Sequence, residues 1–543
     1  WRGEGADLQE LLVALDRVTG RVVWEHGEND FLSDTVYNRY AIGAATVDRE
    51  TRNVYAMTAN GVFSAFDRDG KLLFQHSMME EFGRLTFPNS RTGSPVIDDD
   101  LVIVRGITSN WGAQGAPRDR FYAFDKRTGA AVWSSTPGDA PKDNSFSTPV
   151  FGWRNGMRVF YVGLGCGNIA AINARTGQPL WRYPVSSGGV NATPLLDGNR
   201  LFAVHGVENL DASTVGRLYA IDLEAAWKQS IEKKAPPGEP VVLDKAVELW
   251  RADLSSFSSS PAGVGHDLVL TTDTGELVAV DGAKGSIQWR LKLARDQIHA
   301  SPIVAGGHIY VPMNDGSFHV VKLPGKGAKP QVVATVQLDG NCLGAPSVSA
   351  GLVVISTTAK VYAFGEPGGV MIEPPAEAPD SRKVGAAALL QARPSELLLR
   401  PGDKVPVTVR KIDEKGFDAG AAGAVSWQKF VPPTAKVKSF LDAEFDSSGS
   451  LAAAAGAKPS AGAFEATADG LKGTIRGRLV PGLPLAEDFE SFALAEEAPK
   501  TIRVKLLRPA AVGILSGGWP DRIRVVRGMK KKPIAAPCRK AGI

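Results

Sequence analysis

Cysteine is scarce: Cys166, Cys342 and Cys538 are the only three in 543 residues, far apart and odd in number. They offer no metal-ligand spacing and no disulfide framework, and a buried free thiol is the expectation for Cys166 and Cys342. No apolar run approaches 18 residues, so no membrane-spanning helix is expected. Charge of one sign is also missing. Lys and Arg number 62 against 58 Asp and Glu, for a net of +4. The one basic block is Lys530-Lys531-Lys532, so nucleic acid is not expected as a partner. Long amphipathic helical patterns are absent, apart from a short one from Leu223 to Lys234 that reads as an insertion. H-E-x-x-H, G-x-x-x-x-G-K-[ST], G-x-S-x-G and C-x-x-C-H do not occur. Gly163-Leu164-Gly165-Cys166-Gly167 resembles a phosphate cradle only superficially. It links two strands with no helix after it, so it reads as a tight turn.

What is present is repetition, rich in Gly (59) and Pro (35). The stretch Ala14 to Trp24 reads A-x-D-x-x-T-G-x-x-x-W. It returns at Ala123 to Trp133, with Asn for Asp at Ala171 to Trp181, and with Lys for Thr at Ala279 to Trp289. A shortened copy, Ala65 to Phe74, ends in Phe. Alternating residues before the turn mark a half-buried strand. The Asp side chain can accept N–H bonds inside the turn, and Gly supplies a positive φ. An indole at the end of each unit suits a wedge between neighbouring sheets, so Trp24, Trp133, Trp181 and Trp289 are expected as structural docking residues.

Two further strand-like segments precede each copy, the first opening on a small residue and Pro, as in Ser147-Thr148-Pro149-Val150 and Ser259-Ser260-Pro261-Ala262. The unit is therefore four antiparallel strands, A to D. Eight units can be counted, the first only as its C and D strands. Four-stranded sheets repeated radially predict an all-β chain with an eight-bladed β-propeller whose first blade is incomplete.

The repeated motif, its S-P-V openings and its Y-A-F/I-D endings resemble the tryptophan-docking repeats of the pyrroloquinoline-quinone (PQQ)-like propeller superfamily, over about residues 8–365. That superfamily includes quinoprotein alcohol dehydrogenases and the outer-membrane β-barrel assembly lipoprotein. The resemblance implies the fold and an exported address, periplasmic or extracellular. It does not by itself imply activity, since catalytic and non-catalytic members share the repeat.

Residues 1–365 are thus expected as propeller and 366–384 as a Pro-rich, acidic linker. Residues 385–482 read as a small immunoglobulin-like β-sandwich, with the Ala/Gly/Ser-rich Ser447 to Gly462 as a mobile loop inside it. Residues 483–543 read as an irregular tail or a further domain cut short. The chain opens in mid-repeat at Trp1, so further sequence is expected upstream, and the lack of a signal segment carries no information.

Strand order sets where a site would be. The B–C loops and the D-to-A connections share one face, and the D-x-x-T-G turns share the other. Long B–C loops run from Arg105 to Arg120 and from His205 to Arg217. The candidate ligand-binding rim comprises Tyr40, Arg91, Trp111, Asn144, Asn191, His205, Ser258, His299 and Asn341. His299 has the best claim to titratable chemistry, although His266 and His308 sit in turn-like positions. No catalytic residue and no metal site is assigned.

Two readings follow. In the first, the rim docks a protein, peptide or glycan; no cofactor is involved and a monomer is expected. In the second, the resemblance implies a dehydrogenase oxidising an alcohol or sugar, with PQQ and calcium in the channel held by carboxylate and amide oxygens. The dehydrogenases of the superfamily typically carry two adjacent cysteines beside the quinone, and this chain has no Cys-Cys pair. Acidic residues just ahead of the A strands are few, with Asp143 and Asp296 nearest. The first reading is preferred.

Overall fold

The computed structural model describes residues 2–4, 7–29, 43–82, 85–86, 92–108, 118–143, 145–212, 214–236, 238–297, 299–325, 327–366, 383–431 and 438–481. The fold is all-β, a β-propeller followed by a second β module. Among the described residues eight sheets succeed one another along the propeller, numbered 1 to 8 here, and all their pairs are antiparallel except that of Val241–Val242 with Pro179–Pro184 in sheet 4. Sheet 1 has two strands, Gln9–Leu15 and Val22–Asn29. Sheets 2 to 7 each carry strands A to D in chain order; those of sheet 6, for instance, are Ala262–Val264, Asp267–Thr271, Glu276–Val280 and Ile287–Lys292. Sheet 8 has three, Ser347–Ser349, Leu352–Ser356 and Val361–Gly365.

The repeated motif folds the same way each time. In sheet 1, Asp16 Oδ1 accepts from the Val18 and Thr19 backbone N–H groups at 3.2 and 2.7 Å. Asp125, Asn173 and Asp281 accept two backbone N–H bonds each in the same manner. The Gly that follows adopts positive φ, +69° at Gly20, +73° at Gly129, +73° at Gly177 and +73° at Gly285.

That glycine has a second duty: the aromatic closing one sheet lies on the turn glycine of the next. A Cβ on Gly70 would come within 2.7 Å of the Trp24 indole, and one on Gly129 within 2.7 Å of the Phe74 ring. At Gly177 the distance to Trp133 would be 2.5 Å, and at Gly285 that to Trp250 would be 2.5 Å. The indole N–H groups of Trp24, Trp133 and Trp250 donate to turn carbonyls at Arg68, Ala174 and Gly282. Trp181 and Trp289 do not follow this rule. In sheet 5 an insertion replaces the turn: Asp222 caps a helix, Leu223–Glu232, and the chain returns as Val241–Val242. Trp181 is buried with Ala226, Val241 and Leu243 of that insertion. Sheet 7 has no T-G turn, and Trp289 packs on the side chains between sheets 6 and 7.

The hydrophobic core is divided among the gaps between sheets. Tyr55, Phe63, Tyr122 and Phe124 fill the gap between sheets 2 and 3; Phe121, Trp133 and Phe160 fill that between 3 and 4. Equivalent clusters follow from 4 to 8. This is radial packing, with sheets 3 to 7 each using both faces.

Among the described residues the second module holds ten strands in three small sheets. Ala387–Arg393 pairs with Thr408–Asp413; after the cis Arg393–Pro394 peptide the chain crosses to the other sheet, where Glu396–Leu399 runs parallel to Leu471–Leu479. Leu399, Leu451, Phe464 and Ile475 form its core, and Trp427 stacks on Phe445 at 3.8 Å. The mobile loop expected at Ser447 to Gly462 is corrected. Asp446 Oδ1 ties the Ser448 and Ser450 N–H groups at 2.8 and 3.1 Å, Ser450–Ala452 is a strand with Leu451 buried, and Ser460–Ala468 is another. The small residues that read as low complexity are instead a tight turn and core positions such as Ala453 and Ala463.

The module sits against the turn face of sheets 3 and 4. Ser395 N–H donates to Ala131 O at 2.7 Å, Asn173 Nδ2 donates to Lys415 O at 3.0 Å, and Trp153 stacks on Phe417 with centroids 6.1 Å apart. Arg393 bridges Asp100 and Asp125 at 3.2 and 3.7 Å. Residues 367–382 and the tail from 482 lie outside the described residues.

Candidate functional site

The loop-bearing rim is the face opposite the second module. Tyr40, Arg91, Trp111 and Asn144 lie outside the described residues. Of the remaining candidates, Asn191, Ser258 and His299 occupy one repeat position, directly ahead of the small-x-Pro openings of sheets 5, 6 and 7. Ser258 Oγ and His299 Nδ1 are 3.0 Å apart, joining sheets 6 and 7. Asn341 Nδ2 donates to Asn314 O at 2.5 Å and its backbone N–H to Thr358 Oγ1 at 3.0 Å, joining sheets 7 and 8. Asn191 is buried, and neither atom of its amide has a protein partner. Thr92, the equivalent residue of sheet 3, is also buried with its hydroxyl unpartnered.

His205 turns inward. It is 1% exposed, its Nδ1 lies 2.6 Å from Gly206 O, and its ring stacks on Tyr219 at 5.8 Å. Burial, aided by the Arg217 charge, pushes its pKa down to about 4, so the imidazole is neutral at neutral pH. It belongs to the wall between sheets and does not face the rim surface.

Sequence reasoning missed the charged element of this face. Arg105, inside strand B of sheet 3 (Leu101–Thr108), and Asp119, at the start of strand C (Arg118–Asp125), form a buried ion pair at 2.7 Å. Arg105 also donates to Ser145 Oγ at 2.8 Å and Gly163 O at 2.9 Å, while Asp119 accepts from Gly165 N–H at 2.7 Å. The pair stitches sheet 3 to sheet 4. The one available sequence signal was an Arg and an Asp near the two ends of the stretch expected as a long loop, which the structure instead makes the paired strands Leu101–Thr108 and Arg118–Asp125 on either side.

PQQ with calcium needs several convergent oxygen ligands. Among the described residues no group of three or more His, Cys, Asp or Glu gathers to hold a metal. Asp119 is engaged on both oxygens, by Arg105 and by the Gly165 N–H. Cys166 and Cys342 are free and buried, with thiol pKa values raised by burial. The described residues bring no carboxylate cluster together for a quinone–calcium site.

Residues 8–246 and 241–327 match the family described as outer membrane protein assembly factor BamB. The chain belongs to that family. Similar curated proteins include BamB of Shewanella oneidensis, 24% identical over 352 residues, spanning 59% of this chain and 82% of the relative. BamB of Burkholderia pseudomallei is 26% identical over 360 residues, spanning 64% and 78%. Lupanine 17-hydroxylase [cytochrome c] of a Pseudomonas species is 24% identical over 344 residues, 55% of this chain and 47% of the relative. Among solved structures, BamB from Moraxella catarrhalis aligns with a TM-score of 0.46 at 18% identity, over 63% of this chain and 88% of that one. No described helix is long and apolar enough to cross a membrane.

Proposed function

We propose that this chain is a non-catalytic interaction scaffold of the periplasm or cell exterior, and that its loop-bearing rim docks a protein, peptide or glycan during outer-membrane protein assembly. The observation that carries the reading is which face is left open. The second module occupies the turn face of sheets 3 and 4 through Ser395, Lys415, Phe417 and Arg393. The opposite rim keeps the long loops, and loops gathered on one edge of a rigid scaffold are where binding residues concentrate. Membership of the BamB family supports the assembly role, and the names of the relatives supply its context.

A photo-crosslinking amino acid placed at the exposed Asn341, in protein exported to the periplasm of a Gram-negative host, is expected to give a discrete adduct. The same probe at Gly198, in a turn of the other face, is expected to give none. Equal labelling from both faces would remove the rim from the proposal.

The match to a hydroxylase named with cytochrome c keeps a quinoprotein reading as the alternative. Mixing the protein with PQQ and Ca²⁺ separates the two. A stoichiometric bound-quinone absorbance band with dye-linked alcohol oxidation would replace the scaffold reading.

A further inference from the structure

The seam between the two modules holds a cavity of about 350 Å³. Small-molecule sites span ~300–1,000 Å³ and concentrate at joints between domains. The propeller contributes Asp99, Asp100 and Arg175 to the wall, and the second module Arg393, Arg410 and Asp418. Depth sorts these side chains. Arg175 is 8% exposed and lies deepest, whereas Asp99, Arg410 and Asp418 are 72%, 46% and 49% exposed and stand at the mouth. Phe417 and Ile412 add an apolar side.

The wall is set in advance. Asp413 Oδ1 accepts from the Lys415 and Phe417 N–H groups, each at 2.9 Å, and shapes the turn that reaches the propeller. Gly416 in that turn has φ +91°, and a Cβ there would come within 2.4 Å of the Arg175 Cβ. Bare backbone thus sits directly on Arg175, and Phe417 beside it is held by its stack on Trp153. A wall ordered before binding loses little entropy when a ligand enters.

The charges name the class of ligand. Arg175 and Arg393 both donate to Asp100, at 2.8 and 3.2 Å, and Arg410 pairs with Asp418. Three guanidiniums therefore balance three carboxylates. A simple anion would meet Asp99, Asp100 and Asp418, and a simple cation would meet the arginines. Because the charges already answer one another, little field is left to favour a zwitterion. What is left is hydrogen-bonding capacity. Each guanidinium has five N–H donors, of which these contacts use only some. Among the described residues Asp99 has only Arg175 as an ion-pair partner, at 3.6 Å. A sugar suits such a wall: its hydroxyls donate to carboxylates and accept from guanidiniums, and its C–H face can lie on Phe417 and Ile412.

We propose that the seam cavity binds one neutral sugar residue, free or at the end of a glycan, and that the sugar bridges the propeller and the second module. The cavity is on the turn face, away from the rim, and the proposal does not rest on the rim-docking reading.

The test uses the full chain and ligand-observed saturation-transfer NMR. The probes are N-acetylglucosamine, its linear trimer, acetate, tetramethylammonium and glycine betaine. N-acetylglucosamine is expected to give a saturable signal and to slow amide exchange at residues 99–101 and 416–418. The three charged probes are expected to bind at least about tenfold more weakly. Asp99→Gly and Asp418→Ala each remove a carboxylate at the mouth, and among the described residues neither aspartate bonds across the seam. Glycine also suits the turn, since Asp99 has φ +57°. Each variant should weaken sugar binding about tenfold, the loss of one hydrogen bond to a charged group, with the small-angle scattering profile unchanged. Glu444→Ala, at an exposed carboxylate outside the cavity, should leave the affinity unchanged. A trimer bound as tightly as the monomer makes a glycan end the occupant, and an excluded trimer makes it a free sugar. No saturable sugar signal, full affinity in either variant, or equal binding of any charged probe would overturn the site. So would exchange protection that falls only outside 99–101 and 416–418. Rim crosslinking from Asn341 does not depend on this cavity, so either result can fail alone.

Discussion

Trp133 lies flat on Gly177, and the two residues hold sheet 3 to sheet 4 as a ring on a bare backbone. Gly177 has φ +73°, and any Cβ there would meet the indole at 2.5 Å. Gly177→Ala therefore combines a left-handed conformation that L-residues resist with an overpacked contact. A loss of roughly 2–4 kcal/mol in denaturant unfolding is expected. Gly198→Ala is the control. Its φ is +55° but nothing lies within 4 Å, so it should cost only about 1 kcal/mol. Equal losses at the two positions would show that the stacking contributes nothing.

The ion pair of Arg105 and Asp119 makes a contrary expectation about charge. Both side chains are buried, 4% and 0% exposed, and their partners come from sheet 4. Asp119→Ala leaves the guanidinium without its counter-charge and the Gly165 N–H without its acceptor. Breaking a buried pair on one side typically costs about 3–5 kcal/mol. Unfolding midpoints of Asp119→Ala and of the exposed control Asp69→Ala should differ by that amount.

His205 gives the chain an acid limit. Its folded pKa of about 4 lies below the ordinary value of 6.5, so the unfolded chain binds a proton that the folded one refuses. The stability it contributes is whole above pH 6.5 and drains as pH falls towards 4, by up to about 3 kcal/mol. The groups facing it are Tyr219, Arg217 and Asp211. His76 runs the other way. Burial opposes its charge, but Glu81 at 2.7 Å and the Gly129 carbonyl at 2.8 Å outweigh burial and raise its pKa. Its contribution is whole below the ordinary pKa and is lost as pH rises through the raised one. Unfolding of His205→Gln and His76→Gln between pH 4 and 8 should flatten the acid slope in the first and the neutral-to-alkaline slope in the second.

How far the sequence announced this structure depends on what each contact is made of. The turns were legible because Asp, Thr and Gly act within five residues of one another, and repetition multiplied the signal. The site was less legible. Arg105 and Asp119 meet only because a loop closes, and His205 looks like a loop residue until strand B is seen to carry it into the wall. The Trp181 contact was hidden by an insertion that swaps a turn glycine for the helix Leu223–Glu232. Ser447 to Gly462 misled because small residues serve equally for a flexible loop and for a thin, tightly packed strand pair.

The joint between the two modules was invisible for the same reason, since its residues are separated by more than two hundred positions. Trp153 stacks on Phe417, Gln391 and Arg393 sit beside Arg175 and Asp100, and a cavity of about 350 Å³ remains among them. The contact mixes one aromatic stack with partly exposed ion pairs, and these respond to different perturbations. Salt should weaken the Arg393 bridges, while the Trp153–Phe417 stack should be almost indifferent to it. Phe417→Ala is therefore expected to let the module swing at low salt, and Arg393→Gln only to abolish the salt dependence. Small-angle scattering between 50 mM and 1 M NaCl reads the difference. If Phe417→Ala leaves the scattering profile unchanged at every salt concentration, the aromatic stack contributes nothing to holding the modules together.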